Sequence, residues 1–256
     1  MNYTLKNSIV FYLLLKATLV YSQMVNIESK RMQTDSIRFA SINEFSSWFN
    51  DNNGQYLFSN TLSSTNQFKS KNLEHIFLIL GNYNVIFSKS KKFQNAWLLH
   101  ARYNYQLSTL FRLETFVQYN GNRILDVEER FVGGIGIRLK PISSKRGNLY
   151  LGNSFMIDLE ENNSENISYY RYRNNLYISV TSLLAKDKIE LTNTIYWQPN
   201  YADLQDFNIL EQFKFSSKIS KNLNFFLLLD YFLDSRSPLD RVQYYFSTKV
   251  GVGIKI

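Results

Sequence analysis

Cysteine is absent from the 256 residues. That excludes a disulfide scaffold, a thiolate metal site and a cysteine nucleophile, and it also excludes a lipid anchor carried on cysteine. Histidine is limited to His75 and His100, so a His-rich metal centre has no ligand set to draw on. Three prolines and ten glycines are too few for a disordered or fibrous chain. Long apolar runs are missing as well. The best stretch after the N-terminal region, Phe225–Leu229, stops at Asp230, far short of the ~20 residues a spanning helix needs. What is present is aromatic: 18 Tyr, 20 Phe and 3 Trp, in a chain whose mean hydropathy is only −0.27. Aromatic side chains favour strands, and the low average implies that polar residues are interleaved with them. Basic residues outnumber acidic ones, 29 to 21.

The first segment reads as an address. Lys6 is followed by an apolar run over Ile9–Leu15, then Lys16, then Ala17–Val20, with Val20 and Ser22 small enough for a cleavage site. Residues 1–22 are therefore expected to be a secretory signal peptide. Residues 23–36 are expected to form a periplasmic N-terminal segment, and 37–256 a single domain, since no linker or charge run divides them. With no spanning helix available, the exported chain is either soluble or crosses a membrane as a β-barrel.

From about Ile37 the pattern has period two. Trp97, Leu99, Ala101, Tyr103 and Tyr105 alternate with Leu98, His100, Arg102, Asn104 and Gln106. A helix would group its apolar residues at three- and four-residue spacings instead. The same alternation recurs along the chain and predicts twelve strands: 37–49, 55–65, 73–87, 93–107, 111–123, 129–140, 148–160, 168–181, 188–198, 207–218, 223–233 and 241–256. The first two are diluted by Ser and Asn, and Glu211 interrupts the apolar face of the tenth. Pro141, Pro199 and Pro238 are all placed between strands, where a missing N–H breaks no ladder bond.

Two architectures fit alternating antiparallel strands. A soluble lipocalin-like barrel or sandwich buries the apolar face inside; a transmembrane barrel turns it outward to lipid. Most segments alternate over eleven or more residues, the length membrane strands need and about twice the globular average. Twelve is even, as in bacterial outer-membrane barrels. The end of the chain, with Lys249, Gly251, Ile254 and Ile256 at alternating positions, is similar to the terminal strand signal read by the barrel assembly machinery. Tyr103, Tyr105, Tyr119, Tyr170, Tyr172, Trp197 and Tyr244 fall near strand ends on the apolar parity, as aromatic girdles do. The expected fold is therefore all-β: a transmembrane antiparallel up-and-down barrel of about 12 strands, in the bacterial outer membrane. Its partners would be outer-membrane lipid and, during biogenesis, the assembly machinery; a monomer is expected.

Several stretches carry a family resemblance. Gln23–Arg31, Leu80–Asn84, His100–Asn104, Arg112–Gln118, Arg130–Leu139 and Leu149–Gly152 resemble, in this order, the YdiY-like salt-induced outer-membrane proteins, a family of unknown function (domain of unknown function 481). The resemblance spans nearly all of 23–256. It implies an outer-membrane barrel with a structural or envelope-stress role, and it implies no reaction.

The inward parity holds the charges: His100, Arg102, Arg112, Glu114, Arg130, Arg138, Arg171 and Arg173 form a predicted lumen network, with Asp158, Glu160, Glu190, Lys214, Asp230 and Lys249 on the same face. A tight turn at Ser108–Leu110 sets Gln106 opposite Arg112 and Asn104 opposite Glu114, with Arg102 on the diagonal. Arg112, Glu114 and Arg130 are expected to bridge three strands. Such a network either fills a polar, partly plugged lumen with salt bridges or forms a cationic constriction that passes small anions. A barrel enzyme acting on lipid or peptide is the remaining class. It needs a base beside a nucleophile; His75 lies on the outward parity, and His100 has no Ser placed beside it. No catalytic residue, cofactor or metal site is assigned. Asp158, Glu160 and Glu161 could surround Ca²⁺ but read more simply as a solvated acidic rim. The basic residues form no stripe suited to nucleic acid.

Overall fold

The computed structural model describes residues 37–52, 55–88, 94–122, 127–162, 168–236 and 244–255. The predicted signal peptide, the 23–36 segment, Pro238 and Ile256 lie outside these. The described chain is twelve antiparallel strands: β1 (Phe39–Asn52), β2 (Gln55–Lys69), β3 (His75–Ser88), β4 (Gln94–Gln106), β5 (Phe111–Asn122), β6 (Val127–Ser144), β7 (Gly147–Asn162), β8 (Ser168–Leu184), β9 (Ile189–Pro199), β10 (Phe207–Lys218), β11 (Leu223–Asp234) and β12 (Tyr244–Lys255). Each pairs with its sequence neighbour, and β12 returns to β1 to close the barrel. The closing seam joins Ile42–Lys255 through Ser47–Val250, a shorter ladder than the fourteen-residue β1–β2 pairing beside it.

The pleat sorts the side chains as the alternation predicts. On β4, Ala96, Leu98, His100, Arg102 and Asn104 are buried inside, while Leu99 and Ala101 face out. Outward positions around the barrel carry Phe45, Leu62, Ile79, Val117, Ile135, Ile178, Ile195 and Val252, all exposed. In water this belt would be a large unfavourable surface; in a bilayer it is the required one. Aromatic residues gather at both rims. His75, Tyr103 and Tyr105 stack near the end where the described termini meet. Tyr170, Tyr172 and Tyr201 cluster near the opposite end around Phe155.

Three expectations need correction. Pro141 lies inside β6, not between strands. It sits where the β6–β7 register shifts between Leu139 and Ile142, a bulge that needs no proline N–H. Pro199 is the last residue of β9, again a position that spares the ladder. The interior is also less polar than the alternation suggested. Over parts of β3 and β11 both parities are apolar, so Ile76, Leu78, Leu80, Phe226, Leu228 and Phe232 are buried inside beside Asn84 and Asp230, and Tyr177, Tyr196, Leu210 and Phe232 form an inner apolar cluster.

Two inward glycines make this packing possible. Tyr177 stands directly opposite Gly152 in the β7–β8 ladder, and its ring fills the space a side chain at that glycine would need: a Cβ there would come within 2.0 Å of the ring. Phe226 likewise faces Gly251, where a Cβ would approach the ring to 2.6 Å. Aromatic rings laid over strand glycines cover backbone that would otherwise be bare. Replacing Gly152 with Val should push Tyr177 off the wall and destabilise the barrel by about 1–3 kcal/mol, the usual range for overpacking. Urea unfolding of the barrel in lipid vesicles should show a lowered midpoint; an unchanged midpoint would show that the ring has room to move.

Candidate functional site

The inner face near the end away from the described termini holds a charge cluster built on adjacent strands. Arg130 on β6 faces Glu160 in register, with Val132 facing Asp158. Its guanidinium grips Asp158 with two bonds, Nε to Oδ1 and Nη2 to Oδ2, both 2.7 Å. Glu160 lies 3.7 Å from the same Nε and 3.9 Å from Arg171. Arg173 on β8 reaches Asp158 at 3.4 Å. It also donates to Asp206 Oδ1 at 2.8 Å and to the Gln198 carbonyl at 3.0 Å, tying the β9–β10 connection to the wall. At Asp206 burial opposes the charge, but bonds from Asn200 and Arg173 outweigh it and hold the carboxyl below the usual carboxylate range. Three arginines thus meet three carboxylates. Asp158 and Glu160 are engaged by arginine, and Glu161 is exposed, so the three acids do not converge on a cation site.

Lower on the wall the β4–β5 hairpin has the register predicted from its turn. Gln106 pairs with Arg112 and Asn104 with Glu114. Arg102 reaches Glu114 along the diagonal at 3.3 Å, and Arg112 donates to Gln106 at 3.0 Å. The expected Arg112–Glu114–Arg130 bridge is not formed. Along the β5–β6 ladder Arg130 stands opposite Asn120 while Glu114 stands opposite Gly136, so the two are at different heights and each finds a nearer partner. Arg138 lies with its guanidinium 3.7 Å from the centre of the Tyr150 ring. Lys249 bonds Asp230 at 3.2 Å, and Gly251 seats Phe226. Ile254, the remaining described residue of the predicted assembly signal, faces outward.

Two links were not legible beforehand. The Tyr177 hydroxyl lies 3.3 Å from both Glu114 oxygens, three strands away, along a path over Gly152. Lys214 on β10 bonds Glu44 on β1 at 2.6 Å, again three strands away, passing the Phe226 ring at 5.1 Å. Each long polar contact runs beside an aromatic ring that a glycine has seated. Glu44 escaped notice because β1 is polar on both parities. The Tyr177 link could have been sought from the Gly152–Tyr177 register, had the strand edges been fixed.

Between these layers lies a cavity of about 40 Å³, lined by His100, Arg102, Phe116, Gln118, Arg130, Val132, Met156, Asn175, Tyr196, Gln198 and Leu210. His100 is stacked on Phe116 at 5.8 Å, and neither ring nitrogen closes a hydrogen bond. His75 faces outward and bonds the Tyr103 hydroxyl at 2.7 Å through Nδ1. Neither histidine is hydrogen-bonded to a carboxylate.

With this geometry in place, the chain can be set beside known proteins. Residues 34–256 match the family described as "Protein of unknown function, DUF481". The chain belongs to this family. No curated protein matches the sequence. Among solved structures this DUF481 barrel is similar to the NanC porin in a rhombohedral crystal form, with a TM-score of 0.55 at 10% identity, covering 84% of this chain and 100% of that one. It is also similar to the KdgM porin (0.48, 12% identity, 84% and 98% covered). A further match is the translocator domain of the autotransporter NalP from Neisseria meningitidis (0.46, 12% identity, 88% and 91% covered). The likeness to NanC is one of fold: a closed antiparallel barrel of the outer-membrane type.

The Asp158 cluster makes a specific demand. Asp158→Asn would leave Arg130 and Arg173 buried with less counter-charge and should cost about 3–5 kcal/mol, the scale for breaking a buried pair. Arg112→Gln, which removes only a half-buried bond to Gln106, should cost less than about 1 kcal/mol. Urea titration of both variants in vesicles checks the ranking.

Proposed function

We propose that the protein is a closed outer-membrane barrel with a structural or envelope-stress role, neither an open pore nor an enzyme. The observation that carries this reading is the pair of long-range polar links, Tyr177–Glu114 and Lys214–Glu44. They tie distant strands together inside the barrel among side chains that are almost wholly buried: Leu78, Leu98, Glu114, Arg138 and Asp158 are each 1% exposed or less. A lumen built for bulk solute would leave such groups wet. The catalytic alternative has little to stand on. A general base needs a proton to take and a group to orient it; His75 is committed to a tyrosine on the outward face, and His100 rests on a phenylalanine. The location follows from the outward apolar belt, the fold shared with a porin, and the secretory address read in residues 1–22. Lipid would then be the principal partner, with the assembly machinery acting on β12 during insertion and the barrel working as a monomer.

A narrow channel for small anions is the second reading. It is favoured by one observation: Arg112 stands directly opposite Arg138 in the β5–β6 ladder, a like-charge pairing that costs stability unless something offsets it. Anion pores use such cationic constrictions.

Planar-bilayer recording separates the two. Purified protein inserted at high salt should give no stepwise conductance if the barrel is closed. Reproducible anion-selective steps would overturn the closed reading in favour of the channel.

A further inference from the structure

The cavity between the upper charge cluster and the Arg102–Glu114 pair has an unusual wall. One side is apolar, made by Phe116, Tyr196 and their neighbours. The other presents the cationic donors Arg102 and Arg130, with His100 and the amides of Gln118, Asn175 and Gln198, and it presents no carboxylate. The Gln198 Oε1 closes no hydrogen bond. Arg102 and Arg130 both line it, whereas the acids that neutralise them, Glu114 and Asp158, do not. Arg130 uses Nε and Nη2 on Asp158, which leaves Nη1 as a further donor. His100 completes the donor side. It is 3% exposed, lines the cavity, and makes no hydrogen bond through either ring nitrogen. Gln118 lies close to it without closing a bond of good geometry. An imidazole always has at least one N–H to donate, and leaving a buried polar group unsatisfied is costly. The site therefore lacks a ligand that accepts hydrogen bonds, tolerates two nearby guanidinium groups and fits a volume sufficient for only a few waters.

We infer that this cavity binds a small monovalent anion, of the size of a halide or formate, held by His100, Arg102 and Arg130 against the Phe116 ring edge. A cation would meet two positive groups with no carboxylate in the wall. Water could accept the His100 proton, but an anion would accept it and also be drawn by the two ion-paired guanidinium groups that line the space. A large anion is excluded by the volume. The inference rests on neither functional reading: a closed barrel can hold a structural anion, and a conducting one would meet the same ion in transit.

Bromide is the probe. Crystals of the full chain grown in sodium bromide, with data collected at the bromine absorption edge, should show an anomalous peak in the cavity within hydrogen-bond distance of His100 or the two arginines. His100→Phe keeps a ring to stack on Phe116 and removes both nitrogens; its bromide affinity, read from peak occupancy across a concentration series, should fall at least tenfold. Met156→Trp fills the space and should abolish the peak. Heat-modifiable gel mobility confirms that each variant is a folded barrel, and if Met156→Trp fails that check, His100→Phe decides alone. A cavity without anomalous signal at bromide concentrations that fill surface sites overturns the inference. So does a peak of unchanged affinity in folded His100→Phe. Loss of bromide with no conductance in either protein would leave the closed-barrel reading intact while establishing the site; conductance without a bromide site would do the reverse.

Discussion

Every backbone N–H and C=O within a bilayer must find its partner inside the protein, because lipid offers none. That single constraint organises the structure. It demands a sheet without edges, so β12 must return to β1. A closed sheet has two faces, and the pleat sends alternate residues to each. Leu99 can then face lipid while His100, one residue on, sits inside beside Arg102. The closing seam is the place where the constraint is met most sparingly, with its described ladder running only from Ile42 to Ser47 on β1. The Lys214–Glu44 contact, which reaches from β10 to β1 across β11 and β12, adds a side-chain tie over that same seam.

The interior obeys a second rule. Charges may be buried there only in company, and rings only where the wall leaves room. Both conditions are met together. Glycines at positions 152 and 251 leave seats for Tyr177 and Phe226. The rings then lie along the wall, and Glu114 and Lys214 find partners three strands away beside them. The upper cluster is solved differently. There Arg130, Arg171 and Arg173 are neutralised by Asp158, Glu160 and Asp206 at short range, and the β9–β10 connection is drawn in as a result. The cavity is left between these two solutions, where guanidinium groups are paired on one side and His100 is not.

Much of the fold was legible from residue order alone. The period of two is set by backbone geometry, so the parity of Trp97–Tyr105 already separated the lipid face from the interior. The Ser108–Leu110 turn fixed the β4–β5 register, and with it the Arg102–Glu114 diagonal. What escaped was everything that depends on inward shape. Ile76, Leu78 and Leu80 share a parity with no polar residue between them, so alternation could not report that part of the interior as apolar. Arg130 seemed within reach of Glu114 because both are inward on neighbouring strands; their difference in height appears only once the β5–β6 register is known. Pro141 was set outside the strands because a bulge leaves no mark in the pattern of side chains. Asp206 could not be joined to Arg173 at all, since a loop has no register to read.

The central claim is that alternate residues of each strand meet lipid and interior in turn. The absence of native cysteine makes it directly measurable. Single-cysteine variants at outward positions (Leu99→Cys, Ala101→Cys, Ile178→Cys, Val180→Cys) and at small inward ones (Ala96→Cys, Ser154→Cys, Ser179→Cys, Thr194→Cys) can be spin-labelled in lipid vesicles. Their collision rates with lipid-dissolved oxygen can then be compared by electron paramagnetic resonance. The account predicts high oxygen access at all four outward sites and low access at all four inward ones. Oxygen access that is equal on both parities, or greatest at the inward sites, would contradict it.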